Sequence, residues 1–229
     1  MSMKRKRVEV LRPPPGIKKA RALFRKKRRN KLRGLLAKPQ LKYVDQTVAA
    51  TEANYDSVVQ STLNGMAVGD TDITRDGQQI VMNSLQIKGI LRNTDNTAPG
   101  PFVRYIIVLD RYPNETNIAL SSVYDSSSAA SDIYALKARG GSAPDRFKIM
   151  LDQVVHLGDE SGNADADVAC KYFSHFIRLA DIAQFNDHGT GNADDFQKGC
   201  ITLFCLSDVA SASTGPTIEF KSRVTYFDQ

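Results

Sequence analysis

Residues 217–227, TIEFKSRVTYF, alternate apolar and polar side chains along nearly their whole length. Every second position from 218 to 226 reads Ile, Phe, Ser, Val and Tyr, and the positions between them read Glu, Lys, Arg and Thr. Because successive side chains of a β-strand point to opposite faces, this pattern predicts a strand with one face in a core and one in solvent. It is the clearest strand pattern in the chain.

Seven further segments are rich in Val, Ile, Phe and Tyr and are bounded by Gly, Pro, Asn, Asp and Ser, as strands of a β-protein are. Together with the first they predict eight strands, near 41–49, 57–64, 83–91, 103–110, 146–157, 171–182, 200–208 and 217–227. Long polar loops and very little helical pattern accompany them. We therefore predict an all-β fold, a single eight-stranded jelly-roll sandwich over residues 41–229.

The charge of the chain is divided between two segments. Of its 31 Lys and Arg, 17 lie in residues 1–42, where Glu9 is the only one of the 25 acids, so this segment carries +16 and the remainder carries −10. The densest stretch, RALFRKKRRNKLRG (21–34), has eight cations in fourteen positions. Such asymmetry is typical of a basic arm that binds a polyanion beside an acidic, soluble body.

Residues 1–40 form the predicted basic arm. The arm has few apolar groups and dense like charge, so we expect it to be disordered when it is free. Its expected chemistry is neutralisation of nucleic-acid phosphates with release of counterions, which reads no base sequence. The candidate nucleic-acid-binding residues are Lys4, Arg5, Lys6, Arg7, Arg12, Lys18, Lys19, Arg21, Arg25, Lys26, Lys27, Arg28, Arg29, Lys31 and Arg33.

Two short clusters in the arm, KRKR (4–7) and KKRR (26–29), also have the composition of nuclear import signals. Clusters that bind nucleic acid have the same composition, so the same residues can serve both purposes at different stages. No apolar run approaches the roughly 20 residues that span a bilayer, so we expect no membrane partner.

Motifs of catalysis and metal binding are absent from the sequence. His156, His175 and His188 form neither a His-x-His pair nor an HExxH motif, and no G-x-S-x-G motif occurs. Cys200 and Cys205 lie five positions apart on one predicted strand, so their side chains point to opposite faces and are poorly placed to share a zinc ion. We therefore expect no enzyme, no catalytic residue, no cofactor and no metal site.

Two acidic segments leave one alternative open. DESGNADAD (159–167) offers the hard oxygen ligands that Ca²⁺ prefers, but its spacing does not match an EF-hand. A solvated acidic loop is the default interpretation, and an ion at a subunit contact is the alternative. The group of Asp187, Asp194 and Asp195 is interpreted in the same way.

The order of the segments resembles a known family. A Lys/Arg-rich arm leads into LKYVD (41–45), GDTDITRDGQQIVMNSLQIKGILRNT (69–94), VRYIIVLDRYPN (103–114) and DRFKIMLDQ (145–153). This order resembles the capsid proteins of small circular single-stranded DNA viruses, the circovirus-like group, over nearly the whole chain. It is most specific at two motifs, Arg75-x-Gly77-x-x-Ile80 and Asp110-Arg111-x-Pro113-Asn114.

The resemblance implies a jelly-roll subunit of a sixty-copy icosahedral shell, with its arms directed inward onto a single-stranded DNA genome. It also implies a virion that assembles in the host nucleus, and partners among nuclear import receptors and a cell-surface receptor. More distantly, the chain is similar to coat proteins of satellite RNA viruses of plants, so the sequence leaves RNA open as the cargo. Alternatives outside the viral class are a ribosomal or chromatin-type protein with a basic tail, and a jelly-roll enzyme or sugar-binding domain.

Overall fold

The computed structural model describes residues 40–93, 100–113, 116–125, 133–138, 143–158, 169–186, 189–210 and 215–228. The predicted basic arm lies outside these residues, apart from Gln40. Among the described residues no helix is both long and apolar enough to span a bilayer.

The described part of the chain is built almost entirely from antiparallel strands. Short helical segments, α1 (Leu120–Val123), α2 (Ala143–Arg146) and a 3-10 turn (Ala193–Asp195), connect some of them. The strands are β1 (Leu41–Glu52), β2 (Val59–Thr62), β3 (Gln79–Arg92), β4 (Phe102–Asp110), β5 (Tyr124–Asp125), β6 (Leu136–Lys137), β7 (Phe147–His156), β8 (Cys170–Arg178), β9 (Ile182–Phe185), β10 (Phe196–Lys198), β11 (Cys200–Ser207) and β12 (Thr217–Asp228).

Two sheets form a sandwich. The first sheet has the order β1-β12-β3, and the far edge of β3 pairs with β8 along residues 84–92 and with β9 along residues 79–81. The second sheet has the order β2-β11-β4-β7. Numbered along the chain, the eight predicted strands therefore form sheets 1-8-3-6 and 2-7-4-5. This alternation of strands between two four-stranded sheets is the jelly roll, so the predicted fold is confirmed.

The core lies between the two sheets and follows the period-2 pattern of the sequence. Leu85, Phe220 and Val224 of the first sheet belong to the same buried cluster as Tyr105 and Leu203 of the second. The polar residues between them point to the other side of the sheet, as the alternation of Lys221 and Arg223 with buried neighbours in β12 shows. Residues 217–227 thus form a central strand of the first sheet, between β1 and β3.

Four short strands were not predicted. β5 and β6 form a separate two-stranded ribbon, and β9 and β10 extend the first sheet beyond β3. Each has only two to four residues. A segment this short does not display a recognisable alternation of its own.

Candidate nucleic-acid interface

The fifteen predicted phosphate-binding residues, from Lys4 to Arg33, lie outside the described residues, and their role stays a prediction. The structure does describe the place where the arm meets the sandwich. Gln40 donates a hydrogen bond from Nε2 to Oδ1 of Asp72 at 2.9 Å, and β1 begins at the next residue. The described chain therefore enters the first sheet directly after Gln40.

Lys42, the second residue of β1, is held by three hydrogen bonds. Its ammonium donates to Oδ1 of Asp76 at 2.9 Å, to Oδ2 of Asp228 at 3.1 Å and to the carbonyl of Thr74 at 3.1 Å. Burial opposes the charge, but the bonds to the two carboxylates outweigh it and raise the pKa of Lys42. Lys42 was counted with the basic segment in the sequence, yet it belongs to the sandwich, and it ties β1 to the end of β12.

Arg75, the first residue of one resemblance motif, is a structural residue. Its side chain is 1% exposed, and its guanidinium lies 4.3 Å from the ring centroid of Phe185. Nη1 donates to the carbonyl of Gly77 at 2.7 Å, and Nη2 donates to the carbonyl of Asn186 at 3.4 Å. The motif therefore joins the loop before β3 to the end of β9 and is not available to a phosphate.

The second resemblance motif is also structural. Asp110 is fully buried at the end of β4, and Arg146 binds both of its carboxylate oxygens, with Nε at 2.9 Å and Nη2 at 2.7 Å. These hydrogen bonds raise the pKa of Arg146. The backbone N–H of Tyr112 donates to the same carboxylate at 3.0 Å and thereby closes the turn after β4. Asn114, the last residue of the motif, lies outside the described residues.

The predicted ion sites divide between described and undescribed residues. The segment 159–167 and Asp187 lie outside the described residues. Asp195 is 1% exposed and accepts hydrogen bonds from Thr190 at 2.7 Å, from the backbone of Asn192 at 3.0 Å and from the backbone of Gly191. Its carboxylate therefore holds its own loop. Within the described ranges no group of three or more His, Cys, Asp or Glu is arranged to hold a metal ion.

The outer face of the second sheet is covered by the chain itself. A second hydrophobic cluster forms there between the sheet and residues 118–124 and 135–138, which we call the covering segment. Its buried members are Ile106, Val108, Ile118, Val123, Tyr124, Ala138, Phe147, Phe204 and Leu206. β4 and β11 are consequently apolar on both faces, which explains their nearly continuous apolar sequences.

A buried arginine holds the covering segment in place. Arg104 binds both carboxylate oxygens of Asp152, with Nε at 2.9 Å and Nη2 at 2.7 Å, and donates from Nη1 to the carbonyl of Ala135 at 2.9 Å. Tyr124 stacks on the guanidinium and donates its hydroxyl to the same carboxylate at 3.0 Å. Burial alone would raise the pKa of Asp152, but the hydrogen bonds and charge of Arg104 prevail and lower it.

The outer face of the first sheet, in contrast, is open among the described residues. We call its central part the β8–β3–β12 face. Tyr172 and Phe176 of β8 are 78% and 63% exposed there. The strand registers place its outward residues in four rows across β12, β3 and β8: Thr225–Ser84–Arg178, Arg223–Gln86–Phe176, Lys221–Lys88–Ser174 and Glu219–Ile90–Tyr172.

The charges of this face are unevenly paired. Arg223 forms an ion pair with Asp45 at 2.6 Å, but Lys88, Lys221 and Arg178 form no ion pair with any described residue. A shallow groove of about 540 Å³ lies beside the unpaired lysines and is lined by Ile90, Tyr172, Ser174 and Glu219 among others. The sequence does not reveal this face, because the alternation of side chains indicates which residues point outward but not which strands lie side by side.

Comparison with known proteins gives similarity at the level of solved structures. No protein-family model matches the chain, and no curated protein is significantly similar to it. The chain is similar to the VP2 subviral particle of infectious bursal disease virus, at 12% identity over 81% of this chain, with a TM-score of 0.30. It spans about a third (33%) of that VP2 chain.

A second similar structure is the 60-mer capsid protein of BFDV, a circovirus. Its sequence identity is 8% over 85% of this chain and 96% of that chain, with a TM-score of 0.29. The strand order of the two sheets, and not these similarities, defines the fold of this chain.

Proposed function

We propose that this chain is a viral capsid protein that assembles into a small icosahedral shell and packages single-stranded DNA through its basic arm. One observation carries the proposal: residues 1–40, with a charge of +15, lead directly into the first strand of a jelly roll, while residues 41–229 carry −9. Binding of nucleic-acid phosphates explains the charge of the arm, and many copies of an acidic β-sandwich explain a shell that leaves most of the phosphate binding to the arm.

The charge of the arm is matched to a small genome. Without Lys42, which belongs to the sandwich, the arm carries +15, and sixty copies would bring about 900 positive charges into one cavity, enough to neutralise a single strand on the order of one kilobase. A minimal viral genome component falls in this size range. The same arms, through KRKR (4–7) and KKRR (26–29), would bring the subunit to the host nucleus for assembly by binding import receptors.

The free edges of the two sheets suit repeated contacts between copies. β1 and β8 form edges of the first sheet, and β2 and β7 form the edges of the second, as far as the described residues show. Contacts of different surfaces on neighbouring copies close into rings around symmetry axes, as an icosahedral shell requires. Loops at the rims would carry contacts to a cell-surface receptor.

Two alternatives make different demands on the same chain. A ribosomal or chromatin-type protein with a basic tail would have basic patches on its body as well, whereas this body is net acidic. A satellite-virus coat protein would have the same fold and arm but would carry RNA. Phosphate contacts do not distinguish the two nucleic acids, since they read neither the base nor the 2′-hydroxyl.

Electron microscopy of the purified full chain tests the proposal. We expect closed particles of uniform diameter that contain nucleic acid, and we expect DNase rather than RNase to degrade the nucleic acid once the particles are opened. Particles whose contents only RNase degrades would favour the satellite-virus alternative. Monomers or small oligomers at every salt concentration and pH would contradict the capsid proposal.

A further inference from the structure

We propose that the β8–β3–β12 face is a second binding surface for single-stranded nucleic acid, in addition to the arm. The inference rests on the proposed function, because it identifies where on the folded body the packaged strand is held. It assigns the phosphates to Lys88 and Lys221 and the bases to Tyr172 and Phe176. None of these four residues belongs to the predicted arm.

The central observation is a pair of like charges in direct opposition. The register of β3 and β12 places Lys88 directly across from Lys221, so that their Cβ atoms are about 5 Å apart. Both side chains are exposed, and neither forms an ion pair with a described residue. Like charges in this position destabilise a sheet, and an anion that lies over both ammonium groups would remove the repulsion between them.

The second observation is the position of the exposed aromatic rings. In β8, Ser174 lies directly across from Lys88, and Tyr172 and Phe176 lie two residues to either side of it. The two aromatic positions are therefore about 13 Å apart along the strand. Large apolar side chains with this much exposure are available to stack on unpaired bases, which bind aromatic rings irrespective of their sequence.

The third observation is that this face is positively charged, whereas the body as a whole is negatively charged. The face has Lys88, Lys221 and Arg178 without ion pairs, whereas the residues beyond the basic segment carry a net −10. A second copy of this acidic body offers carboxylates to the opposed lysines, but no described part of its surface combines a continuous run of negative charge with flat rings at the spacing of Tyr172 and Phe176. Single-stranded nucleic acid provides both a run of negative charge and flat apolar bases, so it fits the face better.

The contrast between the two sheets shows that this exposure is a particular property of the first sheet. The corresponding outer face of the second sheet is buried beneath residues 118–124 and 135–138, which Arg104 holds through its hydrogen bond to Ala135 and its contact with the ring of Tyr124. The chain thus uses its own connection to cover one sheet, whereas no described residue covers the face that has the aromatic rings and the cations without ion pairs. The pairing of β3 with β12 and with β8 fixes the register of the three strands, so the proposed lysines and aromatic residues have defined relative positions.

Photochemical cross-linking of the full chain distinguishes this surface from the arm. The probe is a 20-nucleotide oligo(dT) in which 5-bromodeoxyuridine replaces alternate bases, irradiated on the protein and mapped by mass spectrometry of the peptides. We expect cross-links at Tyr172 or Phe176 as well as in the arm. Cross-links confined to the arm would overturn this inference and leave the proposed function intact, and an absence of cross-links anywhere would overturn both.

Affinity measurements on full-chain variants give the quantitative test. We expect Tyr172→Ala combined with Phe176→Ala to weaken binding of fluorescent oligo(dT) roughly fivefold or more at high salt, where the phosphate contacts of the arm are suppressed but stacking persists. The variant Phe176→Tyr should bind as the unaltered chain does. Unchanged affinity of the alanine variant, with an unchanged melting temperature, would contradict the inference.

The lysines have a separate signature in the salt dependence. Loss of two phosphate contacts in Lys88→Ser with Lys221→Ser should reduce the slope of log Kobs against log salt by about 1.4 for a single strand. The control is Arg111→Ser with Lys148→Ser, which removes the same number of cations outside the β8–β3–β12 face, Lys148 together with its ion pair to Asp181, and should leave the slope within error of the unaltered chain. Equal changes in both variants would mean that only net charge matters and would overturn the site.

A face that contacts another copy would give a different result. The aromatic variants would then assemble poorly, while dissociated subunits would bind oligo(dT) with unchanged affinity and salt slope. That combination would overturn the inference.

Discussion

Buried charged residues hold the sandwich together at the points where loops meet sheets. Arg75 binds two backbone carbonyls, Asp110 receives a two-point contact from Arg146, and Arg104 joins a strand to the segment that covers it. Each charge has its partners, as burial requires, because an uncompensated buried ion is strongly destabilising. Arg75 and Asp110, the first residues of the two motifs that carry the resemblance, therefore stabilise the fold.

The two buried thiols should be unreactive in the folded protein. Burial raises the pKa of Cys200 to about 12 and raises that of Cys205 as well, whereas Cys170 is exposed at the start of β8. The thiolate is the reactive form, so at pH 8 we expect an aromatic disulfide reagent to modify one thiol quickly and the other two only after unfolding. Rapid modification of all three in folded protein would contradict the described core.

The Arg104–Asp152 ion pair should contribute measurably to stability. Asp152→Asn leaves a guanidinium that is 6% exposed without its counter-charge, and we expect a loss of about 2–3 kcal/mol in the free energy of unfolding, measured in urea. The matched control is Asp45→Asn, whose partner Arg223 is exposed to solvent and should matter much less. Equal effects of the two substitutions would contradict the role given to the covering segment.

The same pair predicts a pH dependence. The folded pKa of Asp152 lies below the ordinary value of 3.8, so the ionised, paired form persists to lower pH in the folded chain than in the unfolded chain. The stability difference between the unaltered chain and Asp152→Asn should be constant above about pH 5 and shrink as the pH falls below 4. A difference that grows on acidification would have the wrong sign for this contact.

At the scale of strands, the second sheet should be the most protected part of the body. β4 and β11 are central strands, paired on both edges and covered on both faces. Amide exchange reports local opening, so their backbone amides should exchange most slowly with deuterium, while β1 and β8, each paired on one edge among the described residues, should exchange faster. Faster exchange of β11 than of β8 would contradict the architecture.

The sequence predicts the long strands well because their information is local. The alternation in 217–227 and in 83–91 follows from which side chains face the core, and the structure confirms both strands. It does not reveal β9 or β10, which are too short to alternate, nor the opposition of Lys88 and Lys221, which depends on the pairing of strands far apart in the chain. Contacts between distant strands need the fold, and so does the candidate face.

For the whole molecule, the central claim is a division of electrostatic work between the arm and the jelly roll. The arm carries the charge that would neutralise most of the genome, and the acidic body would form the shell. Lys42 and the first residues of β1 belong to the body, so a truncation that tests this division should end at residue 39. Removal of residues 1–39 keeps every described contact of the sandwich.

Sedimentation velocity of the full chain and of the chain without residues 1–39, recorded at both 260 and 280 nm, tests the claim most directly. We predict that the full chain sediments as large particles with the absorbance ratio of a nucleoprotein. The truncated chain, folded by circular dichroism, should retain much less nucleic acid than the full chain after the same wash at moderate salt. Retention of the same amount of nucleic acid by the truncated chain would contradict the division of work, since the arm would then not be the main binding element.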